Sequence, residues 1–305
     1  MLAVMTPYHT PVMLAESLEA LNIIPEGIFV DLTFGGGGHS SAILEKLGSG
    51  QLIAFDQDKD AEDNAVQIDN TRFTFINANF RHCKRYLKME GIDQVDGVIA
   101  DLGISSHQIN TPERGFSTRF ESELDMRMDK SVSKNAKIVI NEYPEHELHK
   151  IFGLYGEIKN ARTLARKIVS SRVNRSIEGA GQLLEILRPL APKGRQNKYF
   201  AQVFQALRIE VNDELKALEE MLIQMTDIIK TNGRLVVISY HSLEDRLVKN
   251  FLQSGNFRGQ PIKDFYGNLQ RPFKPFGRKP ITPNQQEIKL NSRSRSGKLR
   301  IGIKL

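Results

Sequence analysis

The chain has no tryptophan and a single cysteine, Cys83, in 305 residues. One thiol excludes an internal disulfide and a thiolate-held metal cluster, and it fits a reducing compartment, with the cytosol as the expected location. Long apolar runs are missing as well: no stretch approaches the roughly 18 to 20 residues that a bilayer-spanning helix needs. The opening MLAVMTPYHTPVM has no basic segment followed by an apolar core, so neither secretion nor a membrane is expected. None of the seven histidines stands in HExxH or a comparable ligand spacing, so no metal is expected. Internal repeats and low-complexity segments are absent too. What is present is 40% hydrophobic content, enough for one large domain or two modest ones. The net charge is +6; an excess of that sign favours a polyanionic partner, and its distribution matters more than its sum.

The stretch from Ile28 to Ser40, IFVDLTFGGGGHS, organises the rest. An apolar, strand-like run ends in four consecutive glycines and passes into the helix-like AILEKLG. Glycines reach positive φ and carry no Cβ, so backbone and a helix N-terminus can approach a nucleotide-sized ligand closely. The next strand, Gln51 to Phe55, ends at Asp56, about twenty residues beyond the glycines, where such folds set a carboxylate against ribose hydroxyls. A dinucleotide fingerprint needs G-x-G-x-x-G/A, yet the last position is Ser40 counting from Gly35 and Ser41 counting from Gly36. The pattern therefore ranks S-adenosylmethionine above NAD.

Around this loop the rhythm is βαβα. Val12, Leu14, Leu18 and Leu21 mark a short helix ahead of the first strand. After Asp56 come a polar helix over Lys59 to Ile68, a strand over Phe73 to Phe80, and a helix closed by Gly91. The buried strand DGVIAD ends at Asp101, followed by the small turn LGISS at the edge where open parallel sheets bind ligands. Phe80 and Asp101 are then expected to flank the glycine loop. The pattern resumes with a helix whose buried stripe is Val211, Leu215, Leu218 and Leu222 and which Gly233 ends. The strand RLVVISYHS follows, then a helix with Ser242 as N-cap and Asp245 as a capping carboxylate. EIKLNSRSRSGKLRIGIKL is expected to form two antiparallel strands turning around Ser294 to Gly297. The expected fold class is α/β: a Rossmann-like, class I methyltransferase with a mostly parallel sheet and a C-terminal antiparallel hairpin, interrupted by a helical insertion. The expected boundaries are 1–108 and 211–305 for the cofactor domain, and 109–210 for an inserted loop plus helical domain.

Past Ser106 the rhythm breaks into a long structured loop, a length that usually signals function or disorder. From Glu145 to Ile209 the period is helical: Ile158, Ala161, Leu164, Ala165, Ile168 and Val169 form one apolar face, while Arg162 and Arg166 share another. Eleven Lys and Arg against three Glu lie between Lys159 and Glu210, a polyanion footprint with Arg162 and Arg166 as candidate phosphate contacts.

Taken together, VDLTFGGGGHS, FDQD, DLGISS, ERGFS, LDMRMD, YGE, FQALRIEVNDEL, NGRLVVISYHSLEDR and NSRSRSGKLR resemble the bacterial 16S ribosomal RNA cytosine-N4 methyltransferases, the MraW or RsmH family. The resemblance runs from about His9 to Arg300. It implies S-adenosylmethionine as cofactor, a helical insertion serving substrate recognition, and as target a cytidine in the decoding centre, the P-site region, of 16S rRNA within the small ribosomal subunit. Carried over by motif, Gly37, Gly38 and His39 form the cofactor loop, Asp56 is the ribose acid, Phe80 the adenine-side residue, and Asp101 and Gln108 further cofactor contacts. The acid-Pro-Pro-aromatic motif of other amino methyltransferases is absent, with DLGI in its place, which leaves the catalytic group unassigned. Asp101 and Ser105 are the candidates, as acceptors near the amine. The acids of LDMRMD either fix loop geometry or touch substrate. Two rival readings stand: a DNA amino methyltransferase acting on cytosine N4 or adenine N6, and a non-catalytic ribosome assembly factor. The second requires a degraded cofactor loop, whereas here the loop and Asp56 are intact.

Overall fold

A computed structural model describes residues 11–119 and 121–305; the start of the resemblance at His9 and most of the opening segment lie outside them. Two compact units divide the chain. One comprises the described residues up to Gly103 together with Leu215–Leu305, and the other is Ile104–Glu214.

The first unit is built on one seven-stranded sheet: β1 Ile28–Asp31, β2 Gln51–Asp56, β3 Phe73–Asn77, β4 Val95–Asp101, β5 Ile229–Ser239, β6 Phe273–Pro275 and β7 Lys298–Lys304. Their order is β3-β2-β1-β4-β5-β7-β6, parallel from β3 to β5, with β7 antiparallel to both β5 and β6. Each central strand reads as a continuous apolar run because alternate residues face separate cores. Ile53, Val98, Ala100, Leu235 and Val237 go to one, while Leu52, Ile99, Val236 and Ile238 go to the other. On the first face pack Leu218, Met221, Leu222 and Met225 from the helix Glu214–Ile228; on the second, Met13, Leu21, Ile43 and Leu44. Chain order reverses between β1 and β4, so the carboxyl ends of those two strands form the switch point at which open sheets take ligands.

Four local expectations are corrected here. Gly233 does not end a helix: the helix stops at Ile228, Ile229 already pairs with Val95, and Gly233 lies inside β5. A Cβ at Gly233 would stand 2.7 Å from the Asp96 carbonyl oxygen, so glycine serves a close strand approach. Val211 belongs to the helix Gln196–Asn212 of the other unit, and the buried stripe continues through Met221 and Met225. The N-cap of Ser242–Ser254 is His241, and Glu244 is the capping carboxylate, accepting the Tyr240 N–H at 3.0 Å. Asp245 instead pairs with Arg300 at 2.6 Å and Lys298 at 3.2 Å on β7. Finally, EIKL is helical, because Asn284 caps Gln285–Leu290 by accepting the Glu287 N–H at 2.9 Å. The antiparallel partners of β7 are therefore β5 and Phe273–Pro275.

The second unit is helical: Ser106–Asn110, Ala136–Glu142, Glu145–Leu154, Ala161–Arg172, Ala180–Leu187 and Gln196–Asn212. The long loop contributes Phe116, Leu124, Met126 and Met128 to its core. Asn212 pins that loop, accepting the Met128 N–H at 2.7 Å and donating to the Met126 carbonyl at 2.7 Å. Asp125 holds Arg127 through two side-chain hydrogen bonds of 2.8 and 2.7 Å, and the buried Arg114 donates to the carbonyls of Arg127 and Met128. The ERGFS and LDMRMD blocks thus set loop geometry. No helix among the described residues is long and apolar enough to cross a membrane.

Candidate active site

Three carboxylates stand at the ends of β1, β2 and β4, and the glycine loop runs among them. Asp31, fully buried, accepts the Ser40 hydroxyl at 2.8 Å and the Thr33 N–H at 3.0 Å. The loop is shaped by Gly37, at φ 76°, whose Cβ would collide with the Phe34 ring at 2.8 Å. Phe34 in turn packs on Phe73 and Phe75, with ring centroids 5.7 and 5.2 Å away, which seats the loop on the sheet. Gly37 is the N-cap of the helix Gly38–Lys46, so the loop delivers that helix's N-terminus and His39 to the switch point.

Asp56 is tied to the same loop, since its carboxylate accepts the Gly35 N–H at 2.8 Å and the Asp58 N–H at 2.9 Å. Asn64 completes the clamp by donating to the Gly35 carbonyl at 3.1 Å. Phe80, half-buried, begins the turn after β3. Asn79 caps that turn and donates to the Gln57 side chain at 2.6 Å, next to Asp56. Asp101, at the end of β4, donates its N–H to Thr33 Oγ1 at 2.6 Å and accepts the Tyr240 hydroxyl at 2.6 Å. His39 is buried, with Nε2 3.2 Å from the Val12 carbonyl oxygen.

Burial sets the electrostatics. It pushes Asp31, Asp56 and Asp101 each up to about 6, against the hydrogen bonds they accept. Asp31 adds repulsion to both neighbours, while His39 and the Tyr240 hydroxyl pull Asp101 down. Burial likewise lowers His39, opposed by the Asp101 charge. The strand ends offer carboxylate acceptors for hydroxyls and ammonium groups and backbone close enough to meet a ligand.

Within this unit Gly37, Gly38, His39, Asp56 and Asp101 gather at the strand ends, and Phe80 stands on the turn after β3. Ser105 and Gln108 belong to the second unit, where they form a reciprocal cap on Ser106–Asn110. Ser105 Oγ accepts the Gln108 N–H at 3.1 Å, and Gln108 Oε1 accepts the Ser105 N–H at 3.0 Å. Arg162 and Arg166 are exposed on Ala161–Arg172, with Arg166 loosely paired to Glu145 at 3.8 Å. Two other members of the basic excess are engaged by the fold: Arg172 donates to the carbonyls of Ile140 and Tyr143, and Arg208 grips Glu214 at 2.8 and 2.9 Å. The sequence reading missed Asp31, Thr33 and Tyr240. Strand register brings Tyr240 there: Asp101 pairs with Ile238, so a residue two further on emerges beside it.

Against known proteins, the sequence model of the MraW methylase family matches residues 6–305. A protein of Cytophaga hutchinsonii named ribosomal RNA small subunit methyltransferase H is 58% identical over 96% of this chain and 98% of its own length. A protein of the same name from Christiangramia forsetii is 54% identical over 99% of both. Among solved structures, an rRNA methylase from Streptococcus thermophilus matches with a TM-score of 0.41 at 13% identity, covering 96% of this chain and 93% of that one.

Proposed function

The chain belongs to the MraW methylase family, and from that premise we propose that it transfers a methyl group to the exocyclic N4 of a cytidine in the decoding centre of 16S rRNA, acting on the small ribosomal subunit in the cytoplasm. Its cofactor is S-adenosylmethionine. The observation that carries the reading is the match along the whole chain, joined to a loop clamped between carboxylates at the switch point. The residues fit the cofactor: the Asp56 carboxylate for ribose hydroxyls, the positive-φ turn at Gly37 that starts the helix Gly38–Lys46, Phe80 for the adenine side, and buried negative charge for a cationic group. The cofactor supplies the activated methyl, and the protein supplies alignment and acceptors for the amine protons. We assign substrate recognition to the inserted residues 109–210, and the target base must leave its stack to be reached.

The test is labelled S-adenosylmethionine incubated with small subunits, free rRNA and DNA, followed by digestion to nucleosides. Label in N4-methylcytidine from small subunits is expected. Label in a deoxynucleoside would make the protein a DNA amino methyltransferase, and no label in any of the three would remove the activity.

Two variants probe the roles. Asp101 receives the Tyr240 hydroxyl and faces His39, which suits a group that holds the cofactor. Asp101→Asn is expected to raise the apparent constant for S-adenosylmethionine about tenfold while turnover at saturating cofactor stays within a few-fold. A collapse of saturated turnover with unchanged cofactor binding would make Asp101 catalytic instead. If Arg162 and Arg166 meet phosphates, replacing both with Ala should weaken RNA binding for every sequence and flatten its salt dependence by up to about two units of slope. Filter binding across a salt series reads this, and an identical slope would move the phosphate contacts elsewhere.

A further inference from the structure

Residues 256–282 of the first unit carry six cations, Arg258, Lys263, Arg271, Lys274, Arg278 and Lys279, against one acid, Asp264. That acid is used internally. Asp264 Oδ1 accepts the N–H groups of Tyr266 at 2.9 Å and Asn268 at 2.8 Å, and Oδ2 accepts the Asn268 amide at 3.0 Å. With the Asp264 N–H on the Asn268 carbonyl at 2.9 Å and the Gln270 N–H on the Ile262 carbonyl at 2.8 Å, the segment closes into a tight hairpin. Its base is anchored on both sides, by Phe257 stacked on Phe251 at 5.4 Å and by the fully buried Phe273.

The hairpin's tip consists of two aromatic rings. Phe265 is 97% exposed and Tyr266 85% exposed, set edge to face 5.6 Å apart. Rings this exposed contribute nothing to the core. Among the described residues none of the six cations has an ion-pair partner, and all except Arg271 are exposed. Free aromatic faces on a pre-ordered loop among unpaired cations are the combination that binds single-stranded nucleic acid: phosphates meet the charges, and unstacked bases lie on the rings.

We propose that the Ile262–Gln270 hairpin is a base-stacking contact for unpaired nucleotides of the ribosomal RNA substrate, with Phe265 and Tyr266 as the platform and the flanking Lys and Arg as phosphate partners. This rests on the reading of the substrate as RNA. The hairpin supplies affinity and placement, while cofactor contacts and chemistry stay with the carboxylates at the strand ends.

The absence of tryptophan provides a direct probe, because Phe265→Trp places the only indole of the protein at the tip. Titration with a short oligouridylate and with small ribosomal subunits should quench its fluorescence saturably, more weakly as salt rises. No quenching by either RNA overturns the proposal, as does a response confined to phosphatidylglycerol vesicles, which would make the tip a membrane contact. In the methylation assay, the Phe265→Ala/Tyr266→Ala protein should show a KM for small subunits raised about tenfold, with saturated turnover and S-adenosylmethionine affinity unchanged. Phe265→Tyr, which keeps a ring, should behave as the parent. An unchanged KM in the double variant overturns the hairpin's role while the parent's activity stands. Failure of the parent to methylate any RNA would refute the substrate reading, and the quenching experiment would still decide whether the tip binds RNA.

Discussion

Asp56→Ala will bind S-adenosylmethionine about 10- to 100-fold more weakly than the parent chain in calorimetry. Losing hydrogen bonds to a charged acceptor costs about 1.5 to 3 kcal/mol, and that range converts to this loss of affinity. The effect has two sources. One is the acceptor lost to the ribose; the other is the glycine loop, whose Gly35 N–H loses its partner at 2.8 Å. Asp56→Asn separates them, because an amide oxygen still accepts one N–H but brings a donor where the second oxygen was. An intermediate affinity is expected for it. Thermal melts of both variants should stay cooperative, and parent-like affinity in Asp56→Ala would remove this residue from the cofactor site.

Lowering the pH from about 7 to about 5 should stabilise the unliganded protein, opposite to the usual acid response. Asp31 is pushed from its ordinary 3.8 to about 6, so the fold favours its protonated form. The stability it contributes is fully present below about 4 and is lost as pH rises through 6, up to about 3 kcal/mol for this fully buried group. Asp56 and Asp101 shift in the same direction but are half-buried, and water screens part of their penalty. Asp245 opposes them at lower pH, because Arg300 and Lys298 hold it below the ordinary range and that contribution disappears on protonation. Cofactor affinity should run the other way, falling below about pH 6 as the acceptors become protonated. Thermal unfolding across this range, with parent and Asp31→Asn compared, is the measurement. Asp31→Asn keeps an acceptor for the Thr33 N–H and should flatten the profile; an unflattened profile would mean another group titrates.

The parallel half of the sheet was readable because its strands are apolar and three of them, β1, β2 and β4, end at aspartate, and because four glycines in a row have few uses. Errors arose where one residue type serves two purposes. Gly233 looks like a helix stop, yet its missing side chain accommodates the Asp96 carbonyl of a neighbouring strand. Ser242 is a better capping residue than histidine by propensity, but the backbone at His241 has the extended φ of −134° that a cap requires, and Glu244 three residues on completes it. In EIKL the apolar alternation suggests a strand, whereas Asn284, three residues upstream, supplies a helix start. Asp31, Thr33 and Tyr240 were illegible as site residues because their roles depend on register. Only once β1, β4 and β5 are aligned do the Thr33 hydroxyl and the Tyr240 hydroxyl both reach Asp101.

The interruption of the sheet also governs how the protein emerges during synthesis. β4 ends at Asp101, but its neighbour β5 begins at Ile229, so the β4 edge, with Val98, Ile99 and Ala100 side by side, waits for its partner. At common translation speeds that wait is on the order of ten seconds. During it, an apolar strand edge is open to any other extended chain, the condition under which nascent proteins aggregate. The intervening helices make mostly local contacts and can form on far shorter timescales. The nascent protein therefore passes through a stage with a finished helical unit and an unfinished sheet, and chaperone demand should concentrate in that interval rather than at chain release.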